Sequence, residues 1–189
     1  MKSIDLDWMK SWLRETPLRL IQERPLKLVY GRALPNSLTV KTDSRVPSDF
    51  ILLANRLTIV DADEEEKDNA PGGADSYVFW VRERGIWDEI TETIGDDAFR
   101  ALLRGYDQDE HTRGILIGAS EATSAKVLLL TVLTFQWDAY FTPSSANFLC
   151  HVSHHGYLEI WAPDEALFRR ILKRLSGWNA EVKSLSAPH

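Results

Sequence analysis

Three of the five histidines and the single cysteine fall in one stretch, F-L-C-H-V-S-H-H-G-Y-L-E-I-W, at positions 148–161. Thiolate and imidazole are the usual transition-metal ligands, and together they can form a nucleophile and its base. The stretch is therefore either a site of that kind or a hairpin with histidines in its turn. Strand alternation separates the two. With His155-Gly156 as a two-residue loop, Val152 lies opposite Glu159 and His151 opposite Ile160, and neither face is clean. With His154-His155-Gly156 as a three-residue loop, Phe148, Cys150 and Val152 share a face with Leu158, Ile160 and Ala162. The other face then pairs Ser153 with Tyr157, His151 with Glu159 and Leu149 with Trp161. Gly156 falls where such a loop needs a left-handed residue, and a slipped register would mix the faces.

The second register sets Cys150 toward the core and His151 away from it, beside Glu159, with His154 and His155 in an exposed turn. Cys150 and His151 then cannot ligate one ion or act as a pair. The expectation is a structural hairpin with no metal and no cofactor. A metal bound by His154, His155 and a distant carboxylate is the alternative, and a Cys–His nucleophile would need a base from elsewhere, such as His111.

Other segments carry weaker chemistry. G-A-S-E-A-T-S-A-K at 118–126 follows a strand and opens a helix, where an anion could sit, but it lacks the Gly-Lys-Ser/Thr ending of a phosphate loop. Ser120 serves there as a helix cap. A-P-G-G-A-D is too short for a dinucleotide fingerprint. No G-x-S-x-G, H-E-x-x-H or paired C-x-x-C occurs. D-A-D-E-E-E-K-D at 61–68 lacks the glycine and the terminal glutamate of a calcium loop.

That acidic run has another use. Residues 46–110 hold 17 acidic and 6 basic side chains, while the whole chain carries only −6. Asp61, Asp63, Glu64, Glu65, Glu66 and Asp68 can form an electrostatic docking surface, since complementary charge speeds encounter and selects partners. Tyr77, Trp80 and Trp87 flank it in sequence, and aromatic residues are favoured at interface hot spots. A plain solvated loop, or pairing with the basic side of the last helix (Arg169, Arg170, Lys173, Arg174), are the competing readings.

The elements that would position these groups follow from periodicity. Residues 4–15 form an amphipathic helix capped by Ser3 or Asp5. Candidate strands are 26–31, 37–42, 56–62, 76–84 and 113–119, with 49–55 either strand or helical turn. Residues 61–75 are loop. Helices follow at Ile86–Ile94 and from Asp96 through Tyr106. Residues 120–136, apolar nearly all round, form a buried central helix whose β-branched second half could instead be strand. After 137–143 and the hairpin, Asp164 caps a last helix that buries Leu167, Phe168, Ile171, Leu172 and Leu175 and stops at Gly177. Residues 179–189 are a frayed tail. This order of elements defines an α+β fold: one domain over 1–178, with an antiparallel or mixed sheet and helices packed on it.

Composition narrows the class. The chain has 189 residues, of which 44% are hydrophobic, enough for one sizeable core. An isoelectric point near 5.4 argues against nucleic acid as partner. One cysteine excludes an internal disulfide and suits a reducing compartment. No signal segment or apolar run of membrane-spanning length occurs, so the expected setting is the cytoplasm.

The segment W-D-A-Y-F-T-P … N-F-L-C-H-V-S-H-H-G-Y-L-E-I-W-A-P-D-E-A-L-F-R-R-I-L resembles the C-terminal part of small bacterial proteins of polymorphic-toxin immunity type. The resemblance spans about 114–175. It implies a cytoplasmic protein that neutralises a toxin and brings no site residues with it. The function expected is a non-enzymatic binder of a basic protein partner, such as a toxin, through the acidic surface. A small enzyme with a pocket scattered in sequence is the alternative. The oligomeric state is not defined by the sequence.

Overall fold

The computed structural model describes residues 1–23, 26–31, 36–42, 47–58, 76–83, 114–178 and 180–184. Their elements run β1 (Lys2–Ile4), α1 (Leu6–Leu13), β2 (Leu18–Glu23), β3 (Leu26–Tyr30), β4 (Asn36–Lys41), α2 (Pro47–Leu57), β5 (Tyr77–Glu83), β6 (Gly114–Ile117), α3 (Ala122–Phe135), β7 (Asp138–Pro143), β8 (Leu149–Ser153), β9 (Tyr157–Trp161), α4 (Glu165–Arg174) and β10 (Ala180–Ser184). Eight strands form one sheet in the order β1-β6-β5-β7-β8-β9-β4-β10, and β2 and β3 form a separate hairpin. Every pairing is antiparallel. The fold is α+β, and of the two sheet types the sequence allowed, the antiparallel one is present.

The sheet has a core on each face. On the first, Leu38, Phe79, Ile115, Phe141, Cys150 and Ile160 meet the buried sides of α2, α3 and α4. On the second, Val78, Trp80, Tyr140 and Leu149 meet Met9 and Leu13 of α1 and Leu18, Leu26 and Leu28 of the β2–β3 hairpin. Alternation explains the division, because successive strand residues point to opposite faces. Tyr77 ties the layers: its ring stacks on Phe141 with centroids 5.0 Å apart, and its hydroxyl donates to the Thr58 carbonyl at the end of α2 at 2.8 Å.

The helix ends follow local chemistry. Asp5 and Asp164 cap α1 and α4, their carboxylates accepting the Trp8 and Leu167 N–H groups at 2.7 Å. Helix α3 departs from its expected start. A single 3-10 turn at Ala119–Glu121 leads into it, and the Gly118 N–H donates to Glu121 Oε2 at 3.0 Å. The Glu121 carboxylate, not Ser120, thus occupies this end of the helix. At the other end Gln136 is left-handed (φ 50°), and the Trp137 N–H returns to the Val132 carbonyl. Helix wins over strand throughout 122–135, yet α3 is buried along one side only, and Val127 is exposed.

Several expected boundaries move. Helix 4–15 shortens to α1, because Ile4 pairs with Gly114 in β1. Arg56 and Leu57, expected in a strand, end α2, where Leu57 completes the stripe of Phe50, Leu53 and Ala54 in the core. Residues 59–62 of that expected strand lie outside the described residues, as do the loop at 61–75 and the helices expected between 86 and 106. Strand β2 was not anticipated. Its alternation is broken by a bulge between Leu20 and Gln22, which leaves Ile21 exposed. Residues 180–184, expected in a frayed tail, pair with β4 over five successive partners from Ala180–Val40 to Ser184–Asn36.

Gly114 marks a tight point on the second face. It stands between its cross-strand partners Ile4 and Trp80, and a Cβ there would lie 2.4 Å from Trp80 Cε3 and 2.6 Å from Ile4 Cγ1. Neither neighbour can withdraw without disturbing that core. Gly114→Ala should cost about 1–3 kcal/mol, as overpacking does, read as a lower urea midpoint at unchanged m-value. A midpoint equal to wild type would show that Trp80 can move aside.

Candidate functional site

The hairpin forms in the register derived from alternation. Leu149 pairs with Trp161, Cys150 with Ile160, His151 with Glu159, Val152 with Leu158 and Ser153 with Tyr157. Gly156 has φ 77°. Phe148, Cys150, Val152, Leu158, Ile160 and Ala162 are all buried in the first core. Burial pushes the Cys150 thiol far above its usual range, with a smaller push from Glu159. It is a packed side chain, not a reactive one.

The histidines depart from the simple turn. His151 is buried on the second face, where its ring stacks on Tyr140 with centroids 5.0 Å apart. Its Nε2 lies 3.5 Å from Asp138 Oδ1 and its Nδ1 3.5 Å from Glu159 Oε2. His154, expected to be exposed, is half-buried and folds back on Asp138. Its Nδ1 is 3.1 Å from Asp138 Oδ2, and its backbone N–H donates to Asp138 Oδ1 at 3.1 Å. Arg82 adds a guanidinium nitrogen 3.6 Å from Asp138 Oδ2. Of the three hairpin histidines only His155 projects into solvent, its ring 4.0 Å from that of His154 and its N–H donating to Ser153 Oγ at 3.2 Å.

Asp138 is therefore the hub, and the sequence reading missed it. The available signal was W-D-A-Y-F, a lone carboxylate in an apolar strand, which must find partners if it is buried. Burial alone would raise its pKa. The contacts from His151 and the His154 N–H, with the positive charge of the two imidazoles, outweigh that and lower it to about 2. His151 is balanced likewise. Burial disfavours its charged form, but Asp138 and Glu159 on either side outweigh this and raise its pKa above the ordinary 6.5. The close contacts with the two carboxylates contribute more to this than their charge at a distance does, although Nε2 has no well-aligned hydrogen-bond partner among the described residues.

This arrangement limits the chemistry. When protonated, the His151 ring held between two carboxylates has no lone pair for a metal or a substrate proton. Among the described residues, no group of three or more His, Cys, Asp and Glu side chains is disposed to hold a metal ion. The expected docking residues Asp61, Asp63, Glu64, Glu65, Glu66, Asp68 and Trp87 lie outside the described residues, as does His111. Tyr77 and Trp80 are described. They are 1% and 7% exposed, one in each core, and offer no surface to a partner. No helix among the described residues is long and apolar enough to cross a membrane. No protein-family model matches the chain, and neither curated proteins nor solved structures give a match.

The ion cluster makes stability depend on pH in two opposite senses. Asp138 has a lower pKa folded than unfolded, so its contribution is present above about pH 4 and is lost as pH falls toward 2. A shift from 3.8 to about 2 corresponds to about 2 kcal/mol. His151 has a raised pKa, so its contribution is complete below pH 6.5 and is lost as pH rises through the folded-state value. Urea unfolding across pH should show greatest stability between these limits. Asp138→Asn should lower stability at pH 6 by about 3 kcal/mol or more and flatten the acid limb. A variant as stable as wild type, with an unchanged pH profile, would remove Asp138 from its central place.

Proposed function

We propose that this protein is a non-enzymatic binder of a basic protein partner, of the toxin-immunity type, engaging it through the acidic segment around Asp61, Asp63, Glu64, Glu65, Glu66 and Asp68. The observation carrying this reading is the segregation of charge: 17 acidic against 6 basic side chains within 46–110. A field of one sign concentrated in one segment suits the capture and orientation of an oppositely charged partner. The histidine cluster supports it indirectly, because its charges are largely satisfied within the fold. Tyr77 and Trp80 play no part in the surface, since both are buried.

The enzyme reading has one observation in its favour. Asp138 Oδ2 stands 3.1 Å from His154 Nδ1, the relation by which a carboxylate orients an imidazole base. Replacing His154 by Ala separates the readings. A binder keeps its partner affinity and its protective effect in cells, whereas an enzyme loses the effect with binding intact.

The binding reading is tested on the partner captured from the native host. The partner should be basic, and association should slow as ionic strength rises past the point where the Debye length is ~10 Å. Substituting Asp63, Glu64, Glu65 and Glu66 with Asn and Gln should reduce the association rate more than it raises the dissociation rate. The melting temperature should fall less than it does on substituting Arg170 and Lys173; an equal fall would mean that the segment pairs with α4. A quadruple variant with unchanged rate and salt dependence would refute the docking role.

A further inference from the structure

We infer that β10 is a self-pairing edge, through which two copies of this chain join their sheets about a two-fold axis at Val182. Among the described residues, β10 is the last strand of the sheet and pairs only with β4. A row of cross-strand partners crosses the sheet from β6 to β10 on the first face: Ile115, Phe79, Phe141, Cys150, Ile160, Leu38 and Val182. The first six are at 0% exposure, and Val182 is at 51%. The apolar row thus ends on a valine left in solvent at an open edge, the kind of edge that pairs with another chain unless it is blocked.

The order Ala180-Glu181-Val182-Lys183-Ser184 names the occupant. In an antiparallel pairing centred on Val182, position 182 meets itself, and acidic position 181 lies opposite basic position 183 twice. A two-fold centred on 181 or on 183 sets like charges against each other, as does an in-register parallel pairing. The charges that would blunt this edge toward other strands therefore admit a second copy in one register. Such an interface is isologous and extends the apolar row into the partner sheet. An edge-to-edge contact is small, so the dimer is reversible and concentration-dependent. The inference rests on β10 and not on the acidic segment.

Sedimentation equilibrium of the full chain, up to about 0.5 mM, tests this. Wild type should show a monomer–dimer equilibrium. Glu181→Lys and Lys183→Glu should each weaken association about tenfold or more, because two attractive pairs become two repulsive ones. The double exchange, E181K with K183E, should restore it. Thermal unfolding of each variant at low concentration reports whether the monomer fold is kept, and the double exchange decides if one single variant folds poorly. A wild type that stays monomeric throughout, reversals that leave association unchanged, or a double exchange that fails to restore it would each overturn the inference.

Discussion

Strands β7 and β8 are buried along their whole length, on both faces of the sheet. That constraint organises the rest of the structure. A strand covered on both sides has no solvent for its polar side chains, so each must find a partner inside. Thr142 donates to the Phe148 carbonyl at 2.6 Å, and Ser153 accepts the His155 N–H. Asp138, the one carboxylate on these strands, gathers His151, His154 and Arg82 around it. The histidine-rich hairpin is therefore explained by the carboxylate facing it across β7 and β8.

The two cores arise from the same double coverage. Helices α2, α3 and α4 cover the first face. On the second, α1 and the β2–β3 hairpin cover Val78, Trp80 and Leu149, and the charged cluster occupies the other end of the same strands. A polar end on a sheet face usually suggests a binding site. Here Glu159 and Asp138 hold His151 from both sides, so the cluster is turned inward. We propose that recognition of a partner falls to the acidic segment and self-association to the sheet edge, and neither proposal rests on the cluster.

Legibility in the sequence followed the range of the interactions. The hairpin register was readable because alternation and one glycine are local signals, and every predicted pair from Leu149–Trp161 to Ser153–Tyr157 is present. Helix α4 was readable from Asp164 and its apolar spacing for the same reason. Strand β2 was not, because the bulge at Ile21 breaks its period. Strand β10 was not, because a short polar segment becomes a strand only when β4 is beside it. The ion cluster was half legible. His151 and Glu159 are near neighbours across a turn, whereas Asp138 and Arg82 come from strands whose order in the sheet no local pattern announces. Tyr77 and Trp80 are buried for the converse reason: nearness in sequence to an acidic run does not set which face of a strand a ring occupies.

The central claim is that His151 is a charged structural element and not a reactive one. Its imidazole nitrogen-15 shifts, measured by NMR at pH 7 and assigned with a His151→Gln variant, test this most directly. The structure predicts that both ring nitrogens are protonated, because each faces a carboxylate oxygen at 3.5 Å. A neutral ring with one unprotonated nitrogen would contradict the account and return the cluster to the list of possible sites of chemistry.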